Sequence, residues 1–152
     1  MMHVVKVALA GTMTSQAETN SFLAVENILK NIPNVELTSD RAKVEAMMDL
    51  EIPNFTDLLL EMALKATEDA EVLAVHTSSL KYSSIQWLGF VMGYAWSQGV
   101  PVVLITNGID LEDFKVNFMI SRTLHAHLHS DEEIMQYDWE NYPTTAIRAE
   151  MA

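Results

Sequence analysis

The chain has no cysteine. That excludes disulfides and thiolate metal centres. Glycine and proline are scarce, five and four in 152 residues, which excludes collagen-like or Pro/Gly-rich low-complexity character. Cations are few: nine Lys and Arg stand against 21 Asp and Glu, a net charge of −12. A chain so acidic lacks the clustered Lys and Arg that phosphate contacts need, so no nucleic-acid partner is expected. No apolar run reaches the roughly 18 residues of a membrane span, and Met1 to Lys6 is not followed by a signal-peptide core, so the reading is no membrane and a cytoplasmic location. One further absence is local. From Val72 to Ile109 there is not a single Asp or Glu.

What is present is an alternation of short apolar runs with helical patterns. Val4 to Ala10 is β-branched and continuous, as in a buried parallel strand. Ser15 with Glu18 three residues on predicts a capped helix start, and Phe22, Val25, Ile28, Leu29 and Ile32 keep helical spacing until Pro33. Val35 to Leu37 reads as a second strand, Arg41 to Leu50 as a short helix and Thr56 to Ala70 as a longer one. Glu71 to His76 is the third strand, Ser78 to Ser84 a loop, Ser84 to Gln98 a helix and Val102 to Ile105 the fourth strand. Asn107-Gly108 is a turn. Asp113 to Leu124 reads as helix, His125 to His129 as strand, and Ser130 caps a last helix through Tyr137. The expected fold is therefore α/β, with residues 1–152 as a single domain: a Rossmann/flavodoxin-like parallel sheet with helices on both faces. Ligands in such sheets sit beyond the carboxyl ends of the strands. That singles out Gly11 to Ser15, His76 to Ser84 and Thr106 to Asp110.

Three segments together carry a resemblance. They are Lys6-Val7-Ala8-Leu9-Ala10-Gly11-Thr12-Met13, the stretch Gly89-Phe90-Val91-Met92-Gly93-Tyr94-Ala95 continuing to Gly99-Val100-Pro101-Val102-Val103, and Asn117-Phe118-Met119 with the strand and helix after it. In this order they resemble the nucleoside 2-deoxyribosyltransferase-like family. The resemblance implies retaining glycosyl transfer, in which a glutamate on the signature helix attacks the anomeric carbon of a 2-deoxynucleoside. It implies ligand contacts at Gly11, Thr12, Met13, Gly89, Met92, Asn117 and Met119, a nucleoside or nucleotide as ligand, and a homo-oligomer through the 84–98 helix.

The glutamate position is Val91, inside the acid-free stretch. Valine has no lone pair and no titratable proton, so no catalytic residue is assigned. The expectation is a protein that keeps the scaffold and binds a nucleoside, nucleotide or related small ligand without the standard chemistry. Two alternatives stay open: an active transferase or N-glycosidase with relocated acids such as Glu18 or Asp110, and a non-enzymatic subunit with a closed pocket. No phosphate-cradling Gly-rich pattern is present, and no cofactor is expected. His125, His127 and His129 alternate on one strand face, but such neighbours stand about 7 Å apart and rarely converge on one ion; no metal is assigned. Trp87, Trp96 and Trp139 are expected to be buried or interfacial.

Overall fold

A computed structural model describes residues 3–13, 15–48, 50, 52–78, 82–110, 115–116, 118–148 and 150–151. Five parallel strands form the sheet: β1 (Val5–Gly11), β2 (Val35–Leu37), β3 (Val72–His76), β4 (Val102–Ile105) and β6 (Leu124–Leu128). Their spatial order is β2-β1-β3-β4-β6, the doubly wound flavodoxin-like order. The expected parallel sheet with helices on both faces is therefore observed. The helices are α1 (Gln16–Lys30), α2 (Arg41–Met48), α3 (Phe55–Glu68), α4 (Tyr82–Ser97), α5 (Phe118–Ser121) and α6 (Asp131–Gln136).

Strand alternation divides the core in two. Val5, Val7, Leu9, Val72, Ala74, Val103, Ile105, Ala126 and Leu128 face α1 and α6, packing with Phe22, Val25, Leu29, Ile134 and Trp139. Ala8, Leu73, Val75, Val102 and Leu104 face α4, packing with Leu88, Val91, Met92 and Ala95. The interior strands are buried on both faces, which is why they read as continuous apolar runs.

Both expected caps form. Ser15 Oγ accepts from the Glu18 N–H at 3.2 Å, and Ser130 Oγ accepts from the Glu133 N–H at 3.1 Å; each satisfies a donor that the first helical turn leaves open. Glu26, buried on α1, holds α2 in place through a fork from Arg41 Nε and Nη2, at 3.0–3.1 Å.

The segment expected as helix from Asp113 to Leu124 is different. Lys115–Val116 form a short strand, β5, paired with β7 (Glu150–Met151), and among the described residues of the segment only Phe118–Ser121 is helical. The partner strand lies at the far end of the sequence, so local periodicity carries no sign of it. Helix α4 also begins at Tyr82, two residues before the expected start. Among the described residues no helix is long and apolar enough to cross a membrane.

Gly11 closes β1 under an aromatic ring. A Cβ there would lie 2.3 and 2.7 Å from Phe22 ring carbons and 3.1 Å from the His76 carbonyl oxygen. Neither neighbour can retreat easily: Phe22 is 3% exposed, and the carbonyl belongs to the sheet. Gly11→Ala is therefore expected to lose about 1–3 kcal/mol by overpacking, read as a lower urea midpoint at unchanged m-value.

Candidate functional site

Sheet order reverses direction between β1 and β3, since the chain passes from β1 to β2 on one side and to β3 on the other. The crevice outside their carboxyl ends is where such folds bind ligands. Gly11 and His76 are register partners at this point. Thr12 N–H donates to the His76 carbonyl at 3.3 Å, Thr77 N–H to Ile105 at 3.1 Å and Thr106 N–H to Leu128 at 3.0 Å. These backbone bonds carry the sheet one residue past each strand and fix where each loop starts. Asn107-Gly108 then turns the chain, with Gly108 at φ 91°, a conformation glycine adopts without penalty.

The side chains set here are polar yet enclosed. Thr12, His76, Thr77 and Thr106 are buried, as is the Glu18 carboxylate in the first turn of α1. An acid at a helix N-terminus is favoured by the unsatisfied N–H groups there. Thr12 Oγ1 and Ser78 Oγ have no hydrogen-bond partner, and the buried His76 ring has Asn107 as its polar neighbour. A buried polar atom left so costs about 1–3 kcal/mol. Such atoms are uncommon in native proteins and call for an explanation; here they gather at one edge. Asn107 is oriented from outside, its Nδ2 donating to Asp131 Oδ1 at 2.8 Å.

A second polar network lies one strand over. The Arg148 backbone N–H donates to His127 Nδ1 at 2.9 Å. A backbone N–H can only donate, so neutral His127 carries its proton on Nε2. That proton goes to Thr106 Oγ1 at 2.7 Å, which leaves the Thr106 hydroxyl to donate to His129 Nδ1 at 2.9 Å. Arg148 Nη2 also donates to Glu133 at 2.6 and 3.0 Å. The segment from Tyr142 to Arg148 is thereby tied along β6, with Thr145 Oγ1 accepting from the His127 N–H at 2.7 Å. A cleft of about 290 Å³ lies between this segment and α6, lined by His127, Glu133, Tyr137 and Arg148 among others. The His127 and His129 rings, 6.2 Å apart, are committed to the Thr106 bridge, and His125 to the Tyr142 carbonyl. Among the described residues no group of three or more metal-ligating side chains is placed to hold an ion.

Burial pushes the His76 imidazole down to about 4, against a smaller opposing pull from nearby Asn107. Burial first, then the Arg148 and His129 charges, bring His127 to about 4 as well. Both lie below the ordinary value of about 6.5, so the unfolded chain binds protons before the folded one does. Their stabilising contribution is whole above pH 6.5 and falls as pH drops from there toward 4, by up to about 1.4 kcal/mol per pH unit for each ring. Urea midpoints are expected to fall over that window, and His76→Phe to flatten the slope.

The positions singled out by resemblance fare unevenly. Gly11 and Thr12 are at the crevice, and Met13 beside them is exposed. Gly89 is half-buried on α4, its Cβ position 3.8 Å from Ile120. Val91 and Met92, 2% and 4% exposed, are packed into the α4-side core with Leu88 and Ala95. Asn117 lies outside the described residues, as does the Met119 side chain. Trp139 is buried, but within the single chain Trp87 and Trp96 are 41% and 63% exposed, on a helix that also exposes Phe90. The roles of Thr106 and Arg148 were not visible in the sequence: a threonine after a strand and an arginine near the C-terminus carry no local signal.

No protein-family model matches the sequence, and no curated protein matches it. Solved structures do. A 2-deoxyribosyltransferase from Bacillus psychrosaccharolyticus superposes with a TM-score of 0.76 at 16% identity, over 93% of this chain and 98% of that one. A conserved protein from Enterococcus faecalis V583 gives 0.65 at 12% identity, over 88% and 96%. The CMP N-glycosidase BcmB of Clostridium botulinum gives 0.51 at 12% identity, over 86% and 96%. The architecture read from strand alternation and from three ordered segments is thus that of the nucleoside 2-deoxyribosyltransferase-like fold.

Proposed function

We propose that this chain binds a nucleoside, nucleotide or related small ligand at the carboxyl edge of β1, β3 and β4, and that it does not use the covalent glycosyl transfer associated with its fold. One observation carries the second half. The α4 position that would supply the nucleophile is Val91, buried in apolar core, and neighbouring sequence from Val72 to Ile109 has no carboxylate to take its place. The first half is supported by the unpartnered polar atoms at the switch point and by likeness of fold to a deoxyribosyltransferase and a CMP N-glycosidase. Gly11, Thr12 and Met13 are the ligand contacts on the β1 turn, with Gly89, Met92, Asn117 and Met119 as contacts from the later segments. Incubation with a 2-deoxynucleoside and a second free base, followed by chromatography, is expected to show no exchanged nucleoside, while the same nucleoside raises the melting temperature. Exchange by the wild-type protein would overturn the reading.

A second reading has its own observation. Glu18 is a buried carboxylate at this edge, on the same face of α1 as Phe22, whose ring centroid is 6.5 Å from that of His76. A relocated mechanism would use it, and then exchange would occur and vanish in Glu18→Gln.

The proposed assembly is a cytoplasmic homo-oligomer joined through residues 84–98, where Trp87, Phe90 and Trp96 are exposed. Light scattering at micromolar concentration should give a multiple of 17.1 kDa; a monomeric mass would contradict it.

A further inference from the structure

We propose that the C-terminal strap, residues 143–148, is exchanged between two copies of this chain, each laying its strap on the β6 edge of the other. β6 stands last in the sheet order, so its outer side is an open edge, a ready template for another chain. Among the described residues, side chains finish that edge instead of a strand. Thr145 Oγ1 accepts from the His127 N–H at 2.7 Å and donates to the His127 carbonyl at 3.2 Å, so one hydroxyl serves both edge groups. Arg148 Nη2 donates to the same carbonyl at 3.2 Å and to Glu133. The match is also electrostatic: the strap carries Arg148 and no acid, while α6 opens with Asp131, Glu132 and Glu133. Yet residues 143–146 and 148 are exposed. Few buried contacts keep the strap on its own chain, and such segments open at low cost.

The hinge supplies the drive. Tyr142 links the buried Trp139 to the strap and turns the chain back at φ 33°, a left-handed conformation that a bulky residue avoids. It also precedes Pro143, and a proline pushes the residue before it to extended backbone, with φ near about −120°. Two local preferences therefore oppose the turn. Tyr142 is clamped into it by its own N–H, which donates to the Asp138 carbonyl at 2.7 Å, and by its carbonyl, which accepts from His125. Strain in a short hinge invites exchange, because an extended hinge carries the same strap to a neighbour and every strap contact re-forms there. The partner's Thr145 and Arg148 would then satisfy His127. His127 Nε2 bonds Thr106, so the polar network beside the candidate site would be completed by a second copy. This contact is separate from the exposed face of α4.

Charge reversal reads the exchange. One full chain carries Arg148→Glu and the other Glu133→Arg. Both side chains are partly exposed, so both chains should fold. Alone, each sets like charges against one another between strap and edge. After joint incubation, an exchanged pair of the two restores opposite charges at both crossings, reversed at one and native at the other. Native mass spectrometry separates mixed from same-chain dimers. Their ratio should exceed its random value at least about fivefold. Tyr142→Gly, added to both chains, holds the hinge angle without strain and keeps its backbone bonds, and it should lower that ratio at least about threefold. Dimers of random composition, as assembly through α4 alone would give, overturn the exchange while the proposed function stands. A mixture that stays monomeric overturns it too. A ratio that Tyr142→Gly leaves unchanged overturns the hinge as its cause.

Discussion

Val91→Glu is expected to lose about 3–5 kcal/mol of stability, the scale for leaving a buried charge uncompensated, and to gain no transferase activity. Val91 is 2% exposed among Leu88, Met92, Ala95, Val75 and Leu104. A glutamate there has no described cation or donor to meet. It would either expel itself, breaking the packing of α4 on the sheet, or stay protonated, which is the wrong form for a nucleophile. For a chain of this size the cost corresponds to a fall in melting temperature of roughly 10 °C. Thermal denaturation with an exchange assay on the same sample checks both parts. A variant that melts near wild type and transfers deoxyribose would mean that position 91 opens onto a ligand.

Trp139→Ala is expected to cost about as much, 3–5 kcal/mol, and for a different reason. The indole is 1% exposed and packs into the α1-side core. It meets the Tyr137 ring edge-on, with centroids 4.9 Å apart, and its Nε1–H donates to the Ile134 carbonyl at 3.2 Å. Alanine leaves a large cavity and an unpaired carbonyl. The loss also reaches the edge where Asn107 sits. Trp139 supports α6, α6 begins with Asp131, and Asp131 orients Asn107. Trp139→Phe keeps most of the packing and loses the hydrogen bond, so it should cost about 1–3 kcal/mol. Urea unfolding of the two variants separates packing from hydrogen bonding.

The parallel sheet could be read from the chain because its interior strands are buried on both faces. Such strands leave a signal that needs no knowledge of their neighbours: VVKVALA, VLAVH and VVLI, each bounded by turn or cap residues. The caps at Ser15 and Ser130 were readable for the same reason, since both partners lie within three residues. Lys115–Val116 was not readable as a strand, because its partner is Glu150–Met151 and a two-residue pairing has no periodicity. Trp87 and Trp96 have apolar character that implies burial, yet the single chain leaves them exposed; composition cannot say whether the covering surface is its own core or another molecule.

The candidate site divides along similar lines. Its proposed place follows from topology, and the proposed loss of the acid from the resemblance at position 91. That position turned out to be core. The groups that mark the edge, by contrast, come from four separate segments: Thr12, His76, Asn107 and Asp131. Asn107 beside Gly108 is a turn by every local criterion. Only the fold brings its amide up to Asp131, one strand away, and sets it beside the buried His76 ring.

Intact-protein mass spectrometry of the wild-type chain after incubation with 2-deoxynucleosides, in samples whose binding is measured by calorimetry, tests the central claim most directly. A chain that binds at the strand ends and has no nucleophile on α4 should give binding heat with an unshifted protein mass at every time sampled. A covalent deoxyribosyl adduct, or release of free base at a steady rate, would contradict it.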